Sequence, residues 1–150
     1  MWRMRLYLDN CCYNRPYDEQ TQFKVSLETR AKIHIQEKIR RGEYELADSF
    51  MLEFENSANP NEMPRIAIQD FRDRYRTVFV PFERKQQLIG KIDEIMLKGV
   101  KYKDATHLAC AIYANCDYFL TTDIRLLKYN DRTISVINPL DFVLLEEGNI

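Results

Sequence analysis

Glycine and proline are scarce, at 4 and 5 of 150 residues. That leaves no room for a collagen-like repeat or long flexible linkers. Neither G-x-x-x-x-G-K-[ST] nor G-x-G-x-x-G occurs, so phosphate cradling by those loops is excluded. No stretch approaches the roughly 18 apolar residues of a membrane helix. The opening Met1-Trp2-Arg3-Met4-Arg5-Leu6-Tyr7-Leu8-Asp9 has too short an apolar part for a signal h-region, and a cytoplasmic protein is expected. There are two histidines, His34 and His107, neither within H-E-x-x-H, and no G-x-S-x-G elbow to support a serine triad. Cys11, Cys12, Cys110 and Cys116 form no C-x-x-C pair. They read as reduced, buried thiols rather than a zinc ribbon or a redox motif.

What is present is an ordinary globular balance, 45% hydrophobic and 30% charged. A chain of this length is expected to form one domain, residues 1–150. Net charge is −1, but its distribution is uneven. Residues 48–64 carry four acids and no base, residues 65–103 ten bases against five acids, and residues 104–150 seven acids against three bases. If the acidic blocks meet in space, they make a negative pocket with basic walls, which suits a metal ion and a polyanion.

Hydrophobic patterning alternates strand and helix. Arg5–Leu8, Tyr44–Ala47, Thr77–Val80, Tyr118–Leu120 and Thr133–Ile137 read as short strands. Residues 13–24 read as turn-like. Helical spacing begins at Ser26 and ends before Gly42, and Asp48 or Ser49 can cap a helix from Phe50 to Ser57. Ile66 to Tyr75, Leu88 to Met96, Asp104 to Asn115 and Ile124 to Lys128 complete the helices, with a last turn opened by Asn138-Pro139. This order predicts a three-layer α/β/α fold around a mostly parallel sheet. Ligands of such sheets bind beyond the carboxyl ends of the strands.

Those ends carry acids. Asp9 follows the first strand, Asp48, Ser49, Glu53 and Glu55 the second, and Asp123 the fourth, while Asp104 opens a buried helix. A lone acid in such a place is commonly a helix cap. Converging carboxylates repel, and a hard divalent cation with oxygen ligands relieves that cost.

Five segments carry a resemblance, in order: Leu6-Tyr7-Leu8-Asp9-Asn10; Ser49 with Glu55 six residues on; Asp104-Ala105-Thr106-His107-Leu108-Ala109-Cys110-Ala111; Phe119-Leu120-Thr121-Thr122-Asp123; and Val136-Ile137-Asn138-Pro139. Together they resemble a PIN domain, the fold of metal-dependent ribonucleases that include the VapC-type toxins. The D-A-x-H-L-A-x-A segment followed by an apolar strand and T-T-D is the most specific part. Residues 60–100 carry no resemblance, and Asn10 stands where many members have Thr or Ser.

The resemblance implies Asp9, Glu55, Asp104 and Asp123 as catalytic residues. Asp9, Asp104 and Asp123 would hold Mg²⁺ or Mn²⁺, and Glu55 would orient a water or a second ion. Glu53 is the competitor of Glu55, and the two point about 200° apart on a helix. The implied substrate is RNA, and a protein antitoxin and a homodimer are the candidate partners, with no membrane. Thr122 could hydrogen-bond the site or the scissile phosphate. Arg65, Arg72, Arg74 and Arg76 could follow the RNA backbone, with Arg72 and Arg76 the chosen pair, or form a solvated helix face. Trp2, Tyr13, Tyr17 and Tyr102 could stack on bases, although packing accounts for each. A non-catalytic PIN-like module that binds RNA or protein is the alternative. A receiver-type domain would want adjacent acids near the first strand and a lysine after the last, and Asp9 and Asn138-Pro139 do not supply them.

Overall fold

The computed structural model describes residues 3–14 and 22–147. Five strands form one all-parallel sheet: β1 Arg5–Leu8, β2 Glu45–Ser49, β3 Val78–Val80, β4 Tyr118–Leu120 and β5 Ser135–Ile137. Their order across the sheet is β3-β2-β1-β4-β5. The strands are short because they are buried apolar runs bounded by polar residues. Leu6, Tyr7, Leu8, Leu46, Ala47, Phe119 and Leu120 are all in the core. Parallel strands buried on both faces need helical crossovers. The helices are α1 Asn10–Asn14, α2 Phe23–Arg40, α3 Phe50–Ser57, α4 Glu62–Tyr75, α5 Lys85–Leu97, α6 Tyr102–Tyr113, α7 Ile124–Leu127 and α8 Pro139–Glu146. Helix α2 packs on α8, while α6 packs on α5 and α3, giving the three-layer α/β/α architecture.

The chain starts in the middle of the sheet, runs outward through β2 and β3, and returns to place β4 on the other side of β1. The strand order therefore reverses between β1 and β4, and the crevice at their carboxyl ends is where such sheets hold ligands. Leu8 is level with Leu120, so Asp9 and Thr121 leave the sheet side by side. The Asp9 N–H donates to the Leu120 carbonyl at 2.9 Å.

Some boundaries differ from the sequence reading. Tyr13 and Asn14, expected to open a turn-like stretch, instead end the short helix Asn10–Asn14, which buries Cys12 and Tyr13. Helix α2 starts at Phe23, not Ser26. Strand β2 runs on through Asp48 and Ser49, which are level with Phe79 and Val80 of β3. Strand β5 begins at Ser135, after a turn in which the Thr133 N–H donates to Asp131 at 2.9 Å. The last element is a two-turn helix anchored by buried Phe142. Just beyond the Arg41 C-cap of α2, Gly42 turns the chain with φ +75°, the left-handed conformation a glycine adopts at least cost.

Candidate metal and active site

Asp9 is held from two sides. The Asn10 N–H donates to Oδ1 at 2.8 Å, and the Thr121 hydroxyl donates to Oδ2 at 2.8 Å. Asp9 is 92% removed from solvent, at 8% exposure, with its carboxylate fixed by β1 and β4 together. The hydroxyl that bonds the acid is thus Thr121, not Thr122. Thr122 contributes a backbone N–H to Cys11 Sγ at 3.4 Å.

Ser49 is the N-cap of α3, accepting the Leu52 N–H at 3.3 Å, which starts the helix that carries Glu55. Glu55 Oε1 lies 2.8 Å from Nε2 of fully buried His107. The other ring nitrogen is 2.7 Å from the Tyr7 hydroxyl, which is 2.7 Å from Ser49 Oγ. Serine, tyrosine, histidine and glutamate form one chain of hydrogen bonds that fixes the carboxylate. Burial pulls the His107 pKa down, but the Glu55 hydrogen bond and the charges of Asp9, Glu55 and Asp104 outweigh it and hold the pKa above its ordinary value. No catalytic motif in the sequence includes His107 as a base. The signal that would have found it is its i+3 spacing from Asp104, which puts both on one face of α6.

Glu53 takes the other direction. It lies 3.4 Å from Arg76 and 4.0 Å from Arg72. The structure places Glu55, and not Glu53, beside Asp9.

Asp104 sits in the first turn of α6, where the N-cap is Lys101 and no side chain caps the helix. The Asp104 carboxyl is raised above its ordinary pKa, first by burial and then by the charges of Asp9 and Asp123, with Glu55 adding to them and His107 opposing. Asp9, Asp123 and Glu55 thus all bear on Asp104. Asp104 and Asp123 also line one cleft, together with Lys101 and Arg125. Asp123 has a second role as the cap of α7, accepting the Arg125 N–H at 2.8 Å.

The basic segment is corrected. Arg72 has no solvent exposure and donates from Nε to Asp48 Oδ1 at 2.9 Å, so it presents nothing to a polyanion. Arg76 donates to the other Asp48 oxygen at 2.9 Å and remains 28% exposed. Asp48 is a strand residue neutralised by these two arginines, not a helix cap. Of the aromatic candidates, Tyr13 is buried and Tyr102 is exposed, while Trp2 and Tyr17 lie outside the described residues.

Asp9, Glu55 and His107 each offer a donor atom, and these atoms lie within 4.8 Å of one another. The group could hold a metal. The His107 nitrogen that faces the group already holds Glu55, so the remaining donors are carboxylate oxygens, the set a hard cation prefers.

An all-parallel five-stranded sheet, flanked by helices and with acids gathered at its reversal point, defines a PIN-like fold. A solved structure similar to it is the crystal structure of VapBC2 from Rickettsia felis bound to a DNA fragment from their promoter. The match has a TM-score of 0.58 and 13% identity, and it covers 90% of this chain and 98% of that one. The likeness is one of fold. No protein-family model and no curated protein matches the sequence.

Proposed function

We propose that this chain is a metal-dependent ribonuclease of the VapC type, with Asp9, Asp104 and Asp123 as ligands of Mg²⁺ or Mn²⁺ and Glu55 beside them. The observation that carries the reading is geometric: Asp9, Glu55 and His107, from three separate elements, bring donor atoms within 4.8 Å of one another at the carboxyl edge of the parallel sheet. Carboxylates gathered in this way repel, and a cation relieves that cost. The bound metal would supply an activated water and charge stabilisation at the phosphoryl oxygens. The chain's own residues do the positioning. Thr121 and the Asn10 N–H each donate to Asp9 and fix the orientation of its carboxylate. The Ser49–Tyr7–His107 relay holds Glu55 where it can take a proton from an attacking water. The neighbour's two-component name supports a protein antitoxin as partner, and its fold supports assignment to the toxin side. A homodimer and a cytoplasmic location complete the proposal. Among the described residues, no helix is long and apolar enough to cross a membrane.

Incubating a mixed RNA pool with the purified protein tests this directly. Cleavage with Mn²⁺ or Mg²⁺ that stops in EDTA is the expected result. Undiminished cleavage in EDTA overturns the mechanism, and an intact pool with either metal favours a non-catalytic binding module.

A further inference from the structure

Helices α3 and α6 and the 3-10 turn Phe82–Arg84 enclose a groove of about 630 Å³ that the carboxylate site does not use. Three aromatic rings in it stand open to solvent, Phe54 at 59%, Phe82 at 61% and Tyr102 at 42%. Exposed phenylalanines are costly unless something covers them. Phe82 is propped edge-on against Phe50, with centroids 5.5 Å apart at 89°, so its position is set from below.

Two lysines accompany these rings. Lys85 Nζ lies 5.6 Å from the Phe82 centroid and 5.7 Å from that of Tyr102. Lys103 Nζ lies 5.6 Å from the Phe54 centroid. Neither lysine forms an ion pair among the described residues, whereas Glu53, the one acid lining the groove, faces Arg76. Rings interleaved with unpaired ammoniums match the needs of a single-stranded nucleic acid, whose bases stack and whose phosphates want positive charge. A groove for an apolar helix would have no use for the lysines.

The groove also adjoins the acids. Along the first turn of α6, Lys101 and Asp104 line the acidic cleft while Tyr102 and Lys103 line the groove. On α3, Phe54 lines the groove and the next residue, Glu55, belongs to the site. The groove and the site thus draw on consecutive residues of the same two helices.

We infer that the Phe54–Phe82–Tyr102 groove, with Lys85 and Lys103, is a subsite that stacks unpaired bases of single-stranded RNA and leads the strand into the carboxylate crevice. The inference rests on the ribonuclease reading for its substrate, and its test separates the two. Binding of a labelled oligoribonucleotide of about ten nucleotides to the full chain is followed by anisotropy in EDTA, where cleavage is suppressed. Phe82→Ala and Phe54→Ala should each weaken binding on the order of tenfold, and Phe82→Trp should retain it. An abasic oligomer of the same length should bind the wild type weakly and be indifferent to these substitutions. Lys85→Ala and Lys103→Ala should each lower the salt slope by about 0.7. Because Phe82 and Phe54 are exposed, melting curves of the variants should match the wild type and show that they fold.

Oligomer affinities unchanged by Phe82→Ala and Phe54→Ala overturn the subsite, as does an equal loss for the abasic oligomer. Unchanged RNA affinity together with a sedimentation shift from dimer to monomer also overturns it and assigns the groove to a protein interface. If the groove variants behave as expected but no RNA is cleaved with either metal, the subsite stands and the nuclease reading falls. If metal-dependent cleavage occurs and groove variants bind like the wild type, the reverse holds.

Discussion

Asp9 and Asp48 stand near the carboxyl ends of neighbouring strands, yet they live in opposite electrostatic settings. Asp48 is fully buried, and each of its oxygens accepts from an arginine at 2.9 Å, one from Arg72 and one from Arg76. Asp9 receives neutral donors, the Thr121 hydroxyl, the Asn10 N–H and the Cys11 thiol, and its charge is felt at Asp104 as repulsion. The first acid is neutralised by the protein's own cations and is part of the scaffold. The second is left with other acids, which is the condition for binding a cation from solution. A buried carboxylate is therefore informative only with its partners named.

The largest expected effect divides the two glutamates along the same line. Under the nuclease reading, Glu55→Gln lowers cleavage by at least about a hundredfold, since it removes the group positioned for proton transfer. Glu53→Gln, which only loosens the contact to Arg76, keeps most of the activity. Single-turnover rates on one RNA decide between them, and the reverse ranking moves the site to the arginine side of α3.

A stability effect should follow on the neutralised side. Arg72→Met leaves Asp48 buried with only the partly exposed Arg76, so unfolding free energy should fall by about 3–5 kcal/mol. Urea denaturation measures this. A loss below about 1 kcal/mol would mean that water reaches Asp48 and that the contrast with Asp9 is weaker than drawn.

The smallest effect has the opposite sign. The Asp104 carboxyl is raised in the folded state, so the folded chain holds its proton more tightly than the unfolded one. In EDTA, the contribution of Asp104 to stability is then fully present below the unfolded carboxylate range, near pH 4, and is lost as pH rises through the folded value. Asp104→Asn should remove that fall and leave the protein at pH 7 at least as stable as wild type, by up to about 1 kcal/mol after solvent screening. Excess Mg²⁺ should raise the melting temperature of wild type more than that of the variant. Equal shifts in both proteins would show that Asp104 does not touch the ion.

Much of this was legible along the chain because it is local. Strand β4 and helix α3 have the bounds that their apolar runs and the Ser49 cap predict, and Gly42 and Gly99 stop helices through a conformation that glycine adopts cheaply. The acids after β1, β2 and β4 were visible for the same reason, since a parallel sheet puts all such positions at one edge. The basic segment misled because charge along a helix does not say which way each side chain turns. Arg72 reads as a surface arginine until the carboxylate that takes it inside, 24 residues earlier in sequence, is known.

The amino-acid sequence by itself determined the alternation of strand and helix, the absence of rival catalytic motifs and the placing of acids after β1, β2 and β4, because periodicity, capping and residue type are properties of neighbours in the chain. Only the tertiary structure decided that β4 inserts beside β1, that Thr121 rather than Thr122 holds Asp9, and that His107 is tied to Glu55 and Tyr7. It also decided that Phe54, Phe82 and Tyr102 share one groove. Each of these joins residues far apart along the chain through a contact of a few ångströms, and such contacts exist only once the sheet has fixed the register of its strands.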